Sequence, residues 1–232
     1  MIVLYDLAGA GGRRFSPNCW RIRMALAHKG LACDARATRF TEIPTIGDGK
    51  QKTLPVIEDG GVLIGDSAVI ADYLETIYPE RPSLFGGVSG HALTQFIQSW
   101  TIATLHLGII DLILLDIWTS LDPIDQDNFR ASRERRFGRP LEQVQAGREA
   151  RLPAFRQSLQ PLRGLLKAQP WLGGEGPLYA DYLAFGPFQW ARVMSAFQLL
   201  EQDDPVSDWF GRCLDLHEGL GRDAAPAHLP ES

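Results

Sequence analysis

The chain has 232 residues, 45% of them hydrophobic and 9% aromatic, enough to bury a full core as one large or two modest domains. Its formal net charge is -5 and its pI about 5.5, an acidic balance that argues against nucleic acid as the main partner, because that task needs a basic face. Cys19, Cys33 and Cys213 are odd in number and widely spaced; they form neither a disulfide framework nor a metal-ligand pattern and suit a reducing compartment.

Ile2 to Asp6 reads as a strand, and no charged segment with an apolar stretch precedes it, so the chain is expected to remain in the cytoplasm. Phe15-Ser16-Pro17-Asn18-Cys19-Trp20-Arg21-Ile22-Arg23 then opens a helix expected from Pro17 to Lys29. Ser16 suits the N-cap, Pro17 the first helical position, and Cys19, Ile22, Ala25 and Leu26 recur at helical spacing before Gly30 ends the run. A hydroxyl there lies beside free N–H groups and the positive end of the helix dipole, a combination that holds an anion. Cys19 shares the apolar face with Ile22 and Leu26 and reads as core rather than as a reactive thiol. Arg13 and Arg14, just upstream, either raise the local positive potential or belong to an exposed loop.

Asp34 to Thr38 reads as a second strand. Val56 to Glu58 and Val62 to Ile64 flank Asp59-Gly60-Gly61, the turn chemistry of an antiparallel hairpin, with Pro55 at a strand start where its missing donor is tolerated. Asp66-Ser67 opens the next helix, in which Ile70, Tyr73, Leu74 and Ile77 share a face and which stops before Pro79.

Pro79 to Ser89 reads as a linker. Beyond it helices are expected over His91 to Leu121, Asp125 to Arg136, Leu141 to Ala168, Tyr179 to Leu200, which Gly186-Pro187 should bend, and Pro205 to His217. The tail from Gly219 through His228 is poor in large apolar residues and is expected to cover the surface loosely. The apolar run Thr101 to Leu121 contains His106, Asp111 and Asp116; a charge at a bilayer centre costs about 2.5 to 3.5 kcal/mol, so a buried helix is the better reading than a membrane span. Their spacing turns each about 140° from the last, so they share no face and no metal site is expected. Arg130, Arg133, Arg135, Arg136 and Arg139, interleaved with Glu134, read as a solvated helix face. Trp100, Trp118, Phe185, Phe188 and Trp190 read mainly as core.

The order strand, helix, strand, Leu54-Pro55, hairpin and Asp66-Ser67 helix resembles the glutathione transferase superfamily over nearly the whole chain. The resemblance implies an α/β thioredoxin-like domain, βαβ followed by ββα, over residues 1–80 and an all-α substrate-binding domain over residues 90–232. In that family the proline is cis and the residue before it pairs with the cysteinyl backbone of glutathione; whether Pro55 is cis stays open in the sequence. By the same resemblance Leu54 and Pro55 would hold the cysteinyl part, Asp66 and Ser67 the γ-glutamyl group, and Gln51 or Lys52 the glycyl carboxylate. Ser16 would be the catalytic hydroxyl, with Phe15 and Asn18 beside it. Glutaredoxin-like relatives place a nucleophile where Ser16 stands, and a serine forms no disulfide, which disfavours thiol-disulfide exchange.

Phe15 to Leu31, with Ala27-His28-Lys29-Gly30-Leu31, and Phe188-Gln189-Trp190-Ala191-Arg192 look most like the bacterial β-aryl etherase branch and its fungal relatives. The Ser-Pro-x-Cys-Trp-Arg-x-Arg pattern is also similar to the maleylacetoacetate isomerase branch. The implied activity is attack of the glutathione thiolate on a hydrophobic, aromatic electrophile, with β-aryl ether cleavage on the closer resemblance. An isomerase of an acidic substrate, needing cationic groups in the second site, and a non-catalytic interaction protein are the alternatives. A homodimer is implied, the N-terminal half of one subunit against the helical half of the other, with neither nucleic acid nor membrane as partner. Some of the helical-half aromatics would then line the second site. One departure is Leu178, where the family usually has Ser or Thr three residues before a buried Asp, here Asp181. The capping box is incomplete, a loss of about 0.5 to 2 kcal/mol unless that helix start is held differently.

The energetics need little else. A free thiol has a pKa of about 8.5, and lowering it by about two pH units takes about 2.7 kcal/mol. A hydroxyl hydrogen bond to a charged sulfur supplies about 1.5 to 3 kcal/mol and a helix N-terminus about 0.3 to 1 more, so Ser16 and its helix suffice without a metal or a second base.

Overall fold

Alternating burial along the first strand sets the sheet. In β1 (Ile2–Leu7), Ile2 and Leu4 are buried, and Leu4 lies opposite Ala35 of the parallel β2 (Cys33–Thr38) and opposite Ile57 of the antiparallel β3 (Val56–Asp59). β4 (Val62–Gly65) closes on β3 as a hairpin, giving the order β2-β1-β3-β4. Gly60 and Gly61 take φ of 57° and 85° at the turn, a pair of positive angles that glycine adopts without steric cost. The parallel pair needs a crossover, supplied by α1 (Pro17–His28). A short 3-10 turn, Phe40–Thr45, and the cis Leu54-Pro55 bond lead into β3, and α2 (Ser67–Ile77) follows β4. The structure, a computed structural model, describes residues 1–227.

The helical half begins with α3 (Val88–Trp100) and α4 (Leu107–Thr119), joined without a break by a π-helical turn over Thr101–His106. This rod is long and apolar enough to cross a membrane by length and composition. In the fold Ile109, Leu112, Ile113, Leu114 and Ile117 are buried against neighbouring helices. Then come α5 (Pro123–Phe137), α6 (Leu141–Gln145), α7 (Arg148–Ser158), α8 (Gln160–Ala168), α9 (Tyr179–Met194) and α10 (Pro205–Gly219).

Several boundaries differ from the sequence expectation. The single helix expected over Leu141 to Ala168 is three, because Ala146 is extended, Gly147 turns left-handed at φ 68°, and Pro161 starts a new helix where its missing N–H costs nothing. α9 stops at Met194 rather than Leu200, since Ser195 is extended and its hydroxyl donates to Asp116. Gly186-Pro187 does not interrupt α9. The tail is not loose as far as it is described: Ala227 donates to the Arg192 carbonyl at 2.9 Å, and Arg192 and Gln189 donate to the Ala224 and Gly221 carbonyls, each at 2.7 Å. His228 lies outside the described residues.

α9 is buried along nearly its whole length and forms the axis of the molecule. α1 packs along it, with Trp20 edge-on to Phe185 at 6.1 Å, so the helix that starts at Ser16 is fixed by both halves. The start of α9 lacks a hydroxyl cap at Leu178, and the fully buried Asp181 compensates. Its carboxylate accepts from the amides of Leu172, Gly173 and Leu178 and from Trp209 Nε1, at 2.8 to 3.0 Å.

Candidate active site

Ser16 is the N-cap of α1, 4% exposed, and its Oγ accepts from the Cys19 amide at 3.3 Å. Accepting leaves the hydroxyl proton available to an anion placed at the helix end. Cys19 lies one turn deeper and has no exposed surface. Burial pushes its thiol well above the ordinary value, the neighbouring Asp6 carboxylate adds to this, and the Ser16 hydroxyl and Leu7 amide offset only part. A thiol so held stays protonated and is no nucleophile. Arg13 and Arg14 are tied down: Arg13 donates to the Val193 carbonyl at 2.8 Å and Arg14 to the Ala35 carbonyl at 3.0 Å.

Across from Ser16, Leu54 is 7% exposed and precedes the cis bond. Among the described residues its amide and carbonyl take no backbone partner. That leaves a donor and an acceptor for an extended peptide to pair with. Asp66, exposed, caps α2: Oδ1 accepts from Ala68 N at 2.8 Å and Val69 N at 3.3 Å. Its φ of 70° is a left-handed angle rare outside glycine, a strained position of the kind that accumulates at binding sites. Gln51 packs beside it, near enough to Gly65 that a Cβ there would stand 2.9 Å from Gln51 Oε1.

Beneath Ser67 lies Arg21, 3% exposed and not singled out in the sequence. One guanidinium nitrogen donates to Ser67 Oγ at 3.4 Å and another to His106 Nε2 at 3.0 Å. Tyr179 OH donates to the Ser67 carbonyl at 2.9 Å, so α1, α9 and the π-helical turn all brace the start of α2. Burial, then the charges of Arg21 and Arg136, push His106 down to about 3. The ring is neutral at physiological pH, with Nε2 accepting and the proton on Nδ1.

Ser16, Leu54, Lys52, Asn18 and Phe15 meet in one cavity of about 400 Å³ between the sheet half and the helices. Asp66, Ser67 and Gln51 lie outside its lining, on the flank. Its far wall is aromatic, Phe15 to Phe40 at 6.2 Å and Phe40 to Phe129 at 6.0 Å, completed by Trp190 and the aliphatic Ile110 and Ile117. Of the five aromatics weighed in the sequence only Trp190 reaches it; Phe185 and Phe188 pack against Trp20, Trp209 and Phe210 in the core. The arginines of the cluster are solvated as expected, Arg135, Arg136 and Arg139 exposed and Arg130 and Arg133 half-buried; Arg130 bridges Glu134 and Glu142, and Arg133 and Arg136 also border the cavity. A larger cleft of about 810 Å³, bordered by Arg13, Arg148 and Phe197, does not reach Ser16.

Residues 92–215 match the family model described as glutathione S-transferase, C-terminal domain, and residues 12–82 match glutathione S-transferase, N-terminal domain. The sheet half and the helical half thus belong together in one thiol-cofactor fold. The chain is a member of the glutathione S-transferase family, with the glutathione transferase fold and glutathione as its co-substrate. It is 26% identical over 208 residues to a glutathione S-transferase-like protein of Aspergillus flavus, covering 77% of this chain and 75% of that protein. The crystal structure of glutathione transferase GSTFuA3 from Phanerochaete chrysosporium is 26% identical, covers 98% of each chain and superposes with a TM-score of 0.76. A Ceriporiopsis subvermispora glutathione S-transferase solved with glutathione is 23% identical, covers 100% of this chain and 99% of its own, and has a TM-score of 0.82, a likeness of fold.

Proposed function

We propose that Ser16 stabilises the thiolate of bound glutathione and directs it at a hydrophobic, aromatic electrophile, β-aryl ether cleavage being one such reaction. The observation that carries this is a capping hydroxyl opening on the same cavity as the unpaired Leu54 backbone and an aromatic wall. The cysteinyl backbone pairs with Leu54 beside Pro55. The γ-glutamyl ammonium faces Asp66, its carboxylate takes the Ser67 hydroxyl and the N-terminus of α2, and Gln51 or Lys52 takes the glycyl carboxylate. Phe15 and Asn18 flank the sulfur. The thiolate forms a carbon–sulfur bond as the leaving phenolate or halide departs with its electron pair, a substitution that needs no redox partner.

A panel of aryl ethers, aryl halides and unsaturated diacids incubated with glutathione tests the reading. Turnover of the aryl compounds is expected; turnover of diacids alone would replace the transferase with an isomerase. We further propose a homodimer. Leu93 and Phe96, 69% and 68% exposed on α3, and Val69, 54% exposed on α2, offer apolar surface on both halves to a second copy. Light scattering at micromolar concentration is expected to give twice the chain mass, and Phe96→Glu to give the monomer; a wild-type monomer would end the proposal.

A further inference from the structure

We infer that the electrophile is an aromatic acid whose carboxylate is received by Arg133 and Arg136. The two arginines stand three residues apart on α5, hence on one helix face, and both line the cavity whose opposite side holds Ser16. Among the described residues neither is paired with an acidic side chain, whereas Arg130 on the same helix has two such partners. Arg133 lies over the Phe129 ring at 4.8 Å and donates to Ser132 Oγ at 3.0 Å. Arg133 is half-buried and Arg136 exposed; partial burial, then repulsion from Arg136, lowers the proton affinity of Arg133.

The rest of the lining points the same way. It includes Lys52 but no aspartate or glutamate. His106, also in the lining, is neutral with its proton on Nδ1. A cavity bordered by two guanidiniums without acidic partners, and with no carboxylate in its lining among the described residues, is completed by an anionic ligand. Arginine's planar fork matches a carboxylate in two parallel hydrogen bonds, and the Phe15, Phe40 and Phe129 rings fit a flat aromatic body between that fork and Ser16. The proposed function gives glutathione's own carboxylates to Ser67 and to Gln51 or Lys52, and leaves Arg133 and Arg136 without one. The inference rests on the proposed function for the position of the thiol but not for the charge pairing.

Calorimetry with two unreactive probes, naphthoate and naphthamide, separates the two. Wild-type protein is expected to bind naphthoate at least about tenfold more tightly than the amide, and Arg133→Gln/Arg136→Gln to bring the two within about twofold. Arg135→Gln, on the exposed side of α5, should keep the wild-type preference, and circular dichroism checks that each variant is folded. Equal binding of the probes by wild type, or a preference that survives in the double variant, overturns the inference. Glutathione is titrated into the same proteins. An affinity that falls in the double variant would assign the arginines to glutathione and also overturn it. If glutathione fails to bind wild type while the naphthoate preference holds, the proposed function fails and the carboxylate site stands.

Discussion

The backbone of Pro17 passes so close to Gly186 that a Cβ on Gly186 would stand 2.3 Å from the Pro17 carbonyl oxygen. The residue after the proposed catalytic serine is therefore in contact with the central helix of the other half, and only glycine allows the approach. Gly186→Ala is expected to cost about 1 to 3 kcal/mol by overpacking and to lower turnover by shifting the start of α1. Thermal denaturation with a parallel rate measurement checks this; an unchanged midpoint would mean that the two helices part freely.

A second cluster ties α1 to α10. His28 Nε2 donates to the Ser83 carbonyl at 3.1 Å, which leaves Nδ1 to accept from Tyr182 OH at 2.7 Å, and His217 Nε2 donates to the Tyr182 oxygen at 3.1 Å. The arrangement uses the His28 imidazole in the neutral form, because its Nδ1 accepts. Burial lowers the affinity of each for a proton, and His217, with His28 close by, falls to about 4 from an ordinary 6.5. The unfolded chain thus binds more protons between those values, so stability is full above about 6.5 and is lost as pH falls towards about 4. The melting temperature should drop over that window, and His217→Gln, which keeps a donor without titrating, should flatten the drop. The same slope in the variant would place the proton uptake elsewhere.

Asp66 combines an N-cap with a left-handed φ, and its two proposed tasks come apart in two variants. Asp66→Ala removes the cap and the charge and should weaken glutathione binding at least tenfold, about 1.4 kcal/mol, with about 0.5 to 2 kcal/mol of stability lost. Asp66→Asn keeps the cap and tolerates the backbone angle, so its stability should stay near wild type while affinity still falls. Calorimetry that shows undiminished binding in both would remove Asp66 from the site.

The elements that proved legible are those whose signals are local. Ser16-Pro17 marks a helix start by its own chemistry, Asp59-Gly60-Gly61 a hairpin by its turn, and Asp66 a cap by position. What the sequence hid depends on distant neighbours. Arg21 sits between Trp20 and Ile22 and looks like a solvated charge; it is buried because the π-helical turn brings His106 over it. That turn itself leaves no local mark, since Thr101 to His106 reads as ordinary helix. Arg133 and Arg136 share their helix with other arginines, and only the placement of α5 against the 3-10 turn of Phe40 decides which of them border the cavity. Ser195 ends α9 through Asp116, 79 positions away in sequence.

The most direct measurement is thiolate absorbance of bound glutathione against pH in wild type, Ser16→Ala and Cys19→Ala. Removing the Ser16 hydroxyl deletes one charge-assisted hydrogen bond and leaves the helix N-terminus, so the midpoint should rise by about one to two pH units, with turnover near neutral pH down about ten- to a hundredfold. Cys19→Ala should leave the midpoint and the rate in place and lower stability by about 1 kcal/mol. A midpoint and rate untouched in Ser16→Ala, with the rate abolished in Cys19→Ala, would contradict the assignment of the thiolate to Ser16.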